Sequence, residues 1–156
     1  MSPLFRLLEH PEFKEGVCWR RQQVEANAVI FHEGEPGKEV YLIHSGRVRV
    51  VGNVDMDGLR QVHPGFSELS EGDVFGELVL FDDQPRSASV HCVMDSELIV
   101  IDGPELMSFL DRYPDIAYPI FKELIYILVG RLRQANKRIF SLFAWGLKAR
   151  GFAGLV

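Results

Sequence analysis

Between Cys18 and Ile101 the chain never keeps one periodicity for long. Eight short runs rich in Val, Ile and aromatic residues, roughly 18–24, 28–32, 39–44, 47–54, 59–63, 66–69, 87–94 and 97–101, alternate with clusters of Gly, Asp, Asn and Pro. Several runs have period two: in GRVRVVGNV, Val48 and Val50 fall on one side and Arg47 and Arg49 on the other. Turn signals recur at EGEPGKE, HSG, DMDG, HPG and EGD. Many short strands joined by frequent turns predict a β-sandwich, a jelly roll or a closed barrel.

Beyond Asp102 the period becomes helical. GPELMSFLDR reads as a helix with Pro104 in its first turn. An apolar stripe then runs through Phe121, Leu124, Leu128, Leu132, Ala135, Ile139 and Leu142, in steps of three or four residues. Pro114 can open this helix, and Pro119 removes one hydrogen bond, so the helix either kinks or restarts there. At the other end, residues 3 to 15 read as a short helical entry segment broken at Pro11. The expected organisation is one domain over residues 1–140 (N-terminal helix 3–15, β region 18–101, C-terminal helices 103–140), followed by a tail, 141–156.

Composition narrows the function classes. With 47% hydrophobic and 25% charged residues in 156, the chain has the balance of a globular protein that needs no disulfide. Cys18 and Cys92 lie in apolar stretches outside any metal-ligand spacing and read as buried thiols in a reducing compartment. MSPLFRLLEH has no basic region followed by a long apolar run, and no stretch of 18 apolar residues occurs, so a cytoplasmic location is expected. The net charge of -5 argues against general nucleic-acid binding, but it is unevenly spread. All 22 acidic residues lie at or before Glu123, and six bases follow (Arg131, Arg133, Lys137, Arg138, Lys148, Arg150). Such asymmetry marks a separate surface: a solvated helix face, a homodimer helix, or a contact with a membrane or an effector protein, since Phe140, Phe143 and Trp145 sit among the bases.

The stretch GDVFGELVLFDDQPRSASV, Gly72 to Val90, carries the chemistry. Gly76 precedes a helix-compatible run, Glu77-Leu78-Val79-Leu80, and a helix start offers unpaired N–H groups to an anion. Glycine there lets a ligand approach the backbone. Arg86, fixed behind Pro85, brings a guanidinium able to clamp a phosphate with two parallel bonds. Glu77 would repel that phosphate, so its place is explained by a neutral donor on the same ligand, such as a ribose hydroxyl. The alternative for Glu77 is a dipole contact at the helix start, and for Arg86 a surface turn.

This stretch resembles the phosphate-binding cassette of the cyclic nucleotide-binding domain family, which includes catabolite activators, kinase regulatory subunits and cyclic-nucleotide-gated channels. The family pattern, F-G-E-[LI]-A-L, a loop, then P-R-[ATS]-A-[TS], reads here as Phe75-Gly76-Glu77-Leu78-Val79-Leu80 and Pro85-Arg86-Ser87-Ala88-Ser89. The one departure is Val79 in place of Ala. Gly34, Gly46 and Gly72 match the family's turn glycines, and the likeness covers residues about 20 to 140.

The resemblance implies a mainly β fold with flanking helices: a β jelly-roll barrel, then a hinge helix and a long C-terminal helix. It implies a non-enzymatic sensor of cAMP, or less readily cGMP, without other cofactor or metal. Phe75, Gly76, Glu77, Leu78, Val79, Pro85, Arg86, Ser87 and Ala88 would form the site, with Glu77 on the ribose and Arg86 on the phosphate. Aligning GRLRQANKR with the catabolite activators puts Ala135 and Asn136 near the base, where Arg131 or Arg133 are alternatives. Jelly rolls also host metal-dependent cupin enzymes, but these need clustered histidines, and none of the five here forms an H-x-H pair. The residues after Ile139 are too few for a helix-turn-helix. The expectation is therefore a stand-alone sensor that does not bind DNA and acts through its own dimer or on a partner. The alternative is an adaptor of the same fold that contacts protein or membrane without ligand.

Overall fold

The computed structural model of the chain describes residues 2–52, 54–56, 60–62 and 65–151. The turns expected at DMDG and HPG, and the end of the tail, 152–156, reach outside these residues. The chain divides into two compact units, Met1–Ala117 and Tyr118–Val156.

Among its described residues the first unit contains a short helix, α1 (Pro3–Leu7), and ten strands. These are β1 (Trp19–Val24), β2 (Val29–Phe31), β3 (Glu39–Ser45), β4 (Arg47–Val51), β5 (Val54–Met56), β6 (Arg60–Val62), β7 (Gly65–Ser70), β8 (Val74–Phe75), β9 (Ser89–Cys92) and β10 (Ser96–Asp102). A single 3₁₀ turn, Glu77–Leu80, lies between β8 and β9, and α2 (Gly103–Arg112) follows β10. Eight of the strands form two four-stranded antiparallel sheets, ordered β1-β10-β3-β8 and β2-β9-β4-β7, and β5 and β6 form a separate hairpin. This is the expected jelly-roll architecture, built as two sheets.

Both sheets contribute to one core: Val24, Tyr41, Ile43, Phe75, Leu98 and Val100 from the first, Phe31, Val48, Val90 and Cys92 from the second. On β3 and β10 the residues between these, Val40, Leu42, Ile99 and Ile101, are buried as well. Burial on both faces explains why these strands read as continuous apolar runs, whereas β4 alternates Arg and Val. The outward Arg49 pairs with Glu68 on β7. Phe13 packs edge-on against Phe109 of α2, with centroids 5.2 Å apart, and its carbonyl accepts a hydrogen bond from the Trp19 indole at 3.0 Å.

Four boundaries differ from the sequence reading, each for a local reason. The helix expected over 3–15 is only Pro3–Leu7; tighter i→i−3 bonds at Leu8, Glu9 and His10 close it before Pro11, which disfavours helical backbone at His10. The run 87–94 shortens to the four-residue β9. The two-residue β8 is too short for any periodicity to show, yet it pairs with β3 and starts the cassette. Finally, α3 spans Pro114–Ala149 without interruption, so Pro119 neither ends nor restarts it, and residues 141–149 of the expected tail continue the helix. Proline near the start of a 36-residue helix removes one bond of many.

Candidate functional site

Strand β8 delivers the cassette to the core. Phe75 sits opposite Tyr41 in the β3–β8 register, and the two rings stack at 4.9 Å with planes 7° apart. Gly76 then adopts φ 73°, a left-handed conformation that glycine takes at little cost. The chain turns there into the 3₁₀ segment, which opens with Glu77. A Cβ at Gly76 would also lie 2.9 Å from Arg86 Nη1 and 3.2 Å from the Glu39 carbonyl, so space as well as φ requires glycine.

The far end of the cassette is pinned to the loop that precedes β3. The Arg86 N–H donates to the Glu35 carbonyl at 2.9 Å, and the Gly34 N–H donates to the Arg86 carbonyl at 2.8 Å. The Glu33 N–H donates to Ser89 Oγ at 2.8 Å. Two segments some fifty residues apart in sequence thus act as one frame around the arginine.

The guanidinium of Arg86 is directed inward, and its side chain is only 4% exposed. It lies 4.3 Å from the Phe31 ring centroid and 5.7 Å from that of Tyr41, on faces that attract a cation. Nη1 donates to the Glu39 carbonyl at 3.0 Å and to the Gly76 carbonyl at 3.4 Å. Nη2 reaches Glu39 Oε2 at 3.5 Å, on a side chain 38% exposed. Among the described residues Nε has no partner. Gly37 covers that edge: a Cβ there would stand 2.5 Å from Nη2 and 2.6 Å from Nε. Tyr41 shares this setting. Its phenol is pushed above the ordinary tyrosine range, first by burial and then by the nearby Glu39 charge, with Arg86 pulling the other way.

Of the residues expected from sequence, the structure brings Phe75, Gly76 and Arg86 into this arrangement, and places Glu77, 3% exposed, at the start of the adjoining turn. Val79 and Pro85 line a cleft of about 710 Å³ together with Gly37, Glu39 and the start of α2 at Gly103 and Pro104. Leu78 and Ser87 are exposed and Ala88 is half-buried. Asn136 is exposed on α3, in the second unit. The sequence reading did not find Phe31, Gly37, Glu39 or Tyr41. The run EGEPGKEVY had signalled a turn, but nothing local in it shows that it meets a residue at position 86.

Comparison with known proteins settles the family. The family model for the cyclic nucleotide-binding domain matches residues 21–113. The chain belongs to the cyclic nucleotide-binding domain family. It is 32% identical over 113 residues to the CRP-like cAMP-activated global transcriptional regulator of Mycobacterium tuberculosis, covering 72% of this chain and 47% of that protein. It is 32% identical over 141 residues to the cyclic AMP receptor protein of Thermus thermophilus, covering 86% of this chain and 59% of that one. The crystal structure of the Thermus thermophilus catabolite activator protein superposes with a TM-score of 0.68, with 29% identity over 92% of this chain and 64% of that chain. The chain thus spans about half the length of the curated relatives it matches.

This is a regulatory type of domain, and residues 75–90 fall within the matched region. Among the described residues no group of three His, Cys, Asp or Glu is arranged to hold a metal ion, and no helix is long and apolar enough to cross a membrane.

Proposed function

We propose that the chain binds a cyclic nucleotide, cAMP in preference to cGMP, at the Gly76–Ala88 cassette and transmits occupancy through α3. The carrying observation is Arg86: a cation held within the protein between an aromatic face and backbone carbonyls, with Nε left without a partner among the described residues. A permanently buried charge is costly unless paired. A cyclic phosphodiester supplies a single negative charge and acceptor oxygens for a guanidinium edge. Glu77 takes the ribose hydroxyl, an assignment supported by its burial at the first residue of the turn after Gly76. Backbone N–H groups of Glu77 to Val79 and of Ser87 or Ala88 complete the phosphate contacts, as the family likeness implies. Two relatives named for cAMP favour that base, and Asn136 is the candidate for reading it.

A homodimer through α3 is favoured by the helix itself. Ile125, Leu132 and Ile139 alternate with Leu128, Ala135 and Leu142 at steps of three and four, and the three at the first position are 56%, 62% and 60% exposed. Apolar residues repeating at steps of three and four form the seam on which two helices pair. The effector is a protein of unassigned identity, and the bases from Arg131 onward leave an anionic membrane surface as the competing partner. A ligand-independent adaptor of this fold would have no use for the buried Arg86 edge.

Titration calorimetry with cAMP and cGMP, on protein stripped of ligand by unfolding and refolding, tests the reading. Micromolar or tighter binding of either is expected. Silence with both would leave the adaptor.

A further inference from the structure

Arg86 already has an anion. The Glu39 carboxylate lies on its Nη2 at 3.5 Å, and the Glu39 carbonyl on Nη1 at 3.0 Å. Yet the pairing is poor in three respects. The carboxylate contact is long and single rather than the paired fork that guanidinium and carboxylate form at their best. The Glu39 side chain is over a third exposed, so water weakens the contact. And Nε, deeply buried, is left with no acceptor among the described residues, which costs about as much as a lost hydrogen bond. The Gly37 backbone lies against that edge, so close that a Cβ there would stand 2.5 Å from Nη2 and 2.6 Å from Nε, and an acceptor reaches Nε only when the Gly37 segment gives way.

Gly37 and Glu39 both touch the guanidinium and both line the cleft beside the cassette, whereas Arg86 itself does not line it. The loop between Gly34 and Glu39 is held to Arg86 by backbone bonds on both sides of that residue. The part of this arrangement most readily exchanged is therefore the ionic contact between the two side chains.

We propose that Glu39 is a resident competitor: its carboxylate holds Arg86 in the ligand-free protein, and the ligand's phosphate displaces it. Binding is then an exchange of anions on one guanidinium. A weak, single contact is given up and a two-pronged one is made, with Nε finding its acceptor in the complex as the Gly37 segment moves off that edge. Glu39 thereby lowers the affinity for every anion offered to Arg86, and favours those whose oxygens can engage Nε and Nη2 together over those that reach one nitrogen.

This inference rests on the cyclic nucleotide reading, and the two are separated by titrating cAMP and cGMP into the wild type, Glu39→Gln and Glu35→Gln. Glu35 is exposed on the same loop and meets Arg86 only through its carbonyl, so its variant removes the same charge without the contact. Expected is binding two- to fivefold tighter for Glu39→Gln, the range of a partly exposed ion pair, and a smaller change for Glu35→Gln. In the wild type, the Arg86 Nε–H resonance should move downfield on addition of nucleotide as it gains an acceptor. Wild-type binding with Glu39→Gln unchanged or weaker would overturn the competitor role and leave the function standing, with Glu39 reassigned to holding Arg86 in place. Equal gains in both variants would also overturn it, since a general field would then explain the effect. Silence of all three proteins removes the nucleotide reading and the competitor with it.

Discussion

The cassette and the distal half of α3 present opposite departures from the usual partition of residues. Around the cassette a charged residue is inside: Arg86, enclosed by Phe31, Tyr41, Gly76 and Glu39. Along α3, large apolar residues are outside: Phe140, Phe143 and Trp145 are 70%, 68% and 71% exposed. Both cost free energy in isolation. They differ in where compensation is found. The cassette draws its carbonyls, aromatic faces and carboxylate from the same chain, and leaves Arg86 Nε without an acceptor among the described residues. The helix draws little from the described chain and offers a repeating seam instead. The first pattern suits a small ligand that completes a nearly finished site, and the second a macromolecular surface that covers a continuous face.

The sharpest way to break this contrast is Arg86→Ala. If the arginine carries the phosphate, the variant should lose about 3–5 kcal/mol of binding free energy, roughly two to three and a half decades in affinity. Calorimetry measures the loss, and circular dichroism with a urea melt shows whether the fold survives. Retained affinity would remove Arg86 from the site and leave its burial a matter of packing alone. Next in size is Gly37→Ala. Its Cβ would overlap three atoms of the guanidinium, the closest at 2.5 Å, and would push the side chain off Phe31 and Glu39. A stability loss of about 1–3 kcal/mol is expected in a urea melt. A variant as stable as the wild type would show that the enclosure of Arg86 is looser than its geometry.

On α3 the corresponding test is Ile139→Ala. At an exposed seam position it should weaken self-association by about 1–2 kcal/mol, read as a shift of the monomer–dimer equilibrium in sedimentation velocity, with nucleotide affinity retained. An unchanged equilibrium, or a wild type that is monomeric throughout, would pass the helix to a different partner; vesicles containing anionic lipid would then be the surface to try, because the bases follow the last acidic residue without interruption.

These regions were also unequally legible in the sequence. The jelly roll was readable because period-two runs and turn glycines are local signals, and the cassette because Gly76, Glu77 and Arg86 fall within one short stretch. What surrounds Arg86 was not. Phe31, Gly37, Glu39 and Tyr41 look there like strand and turn residues, and their role appears only when the antiparallel β3–β8 pairing and the bonds from residues 34–35 bring them against position 86. Pro119 misled in the same way: its cost to the helix is local and visible, while the 36-residue continuity that absorbs it is not. The stripe on α3 was plain, but a stripe states only that a face needs covering and not what covers it.

The smallest expected effect is the one that joins the two regions. Asn136 is exposed on the seam-bearing helix, and the family likeness alone points to it as the residue that reads the base. An amide can serve the exocyclic amine of adenine or the carbonyl of guanine, so its loss should change selectivity more than affinity. Asn136→Ala should alter binding by about 0.5–1.5 kcal/mol, the worth of one hydrogen bond, and should do so unequally for cAMP and cGMP. Titrating both nucleotides into the variant reads the ratio directly. A changed ratio would make α3 part of the recognition surface, so that ligand identity and helix state are linked by a shared residue. A ratio equal to that of the wild type would confine recognition to the cassette and its frame, and would leave α3 to report occupancy without discriminating the base.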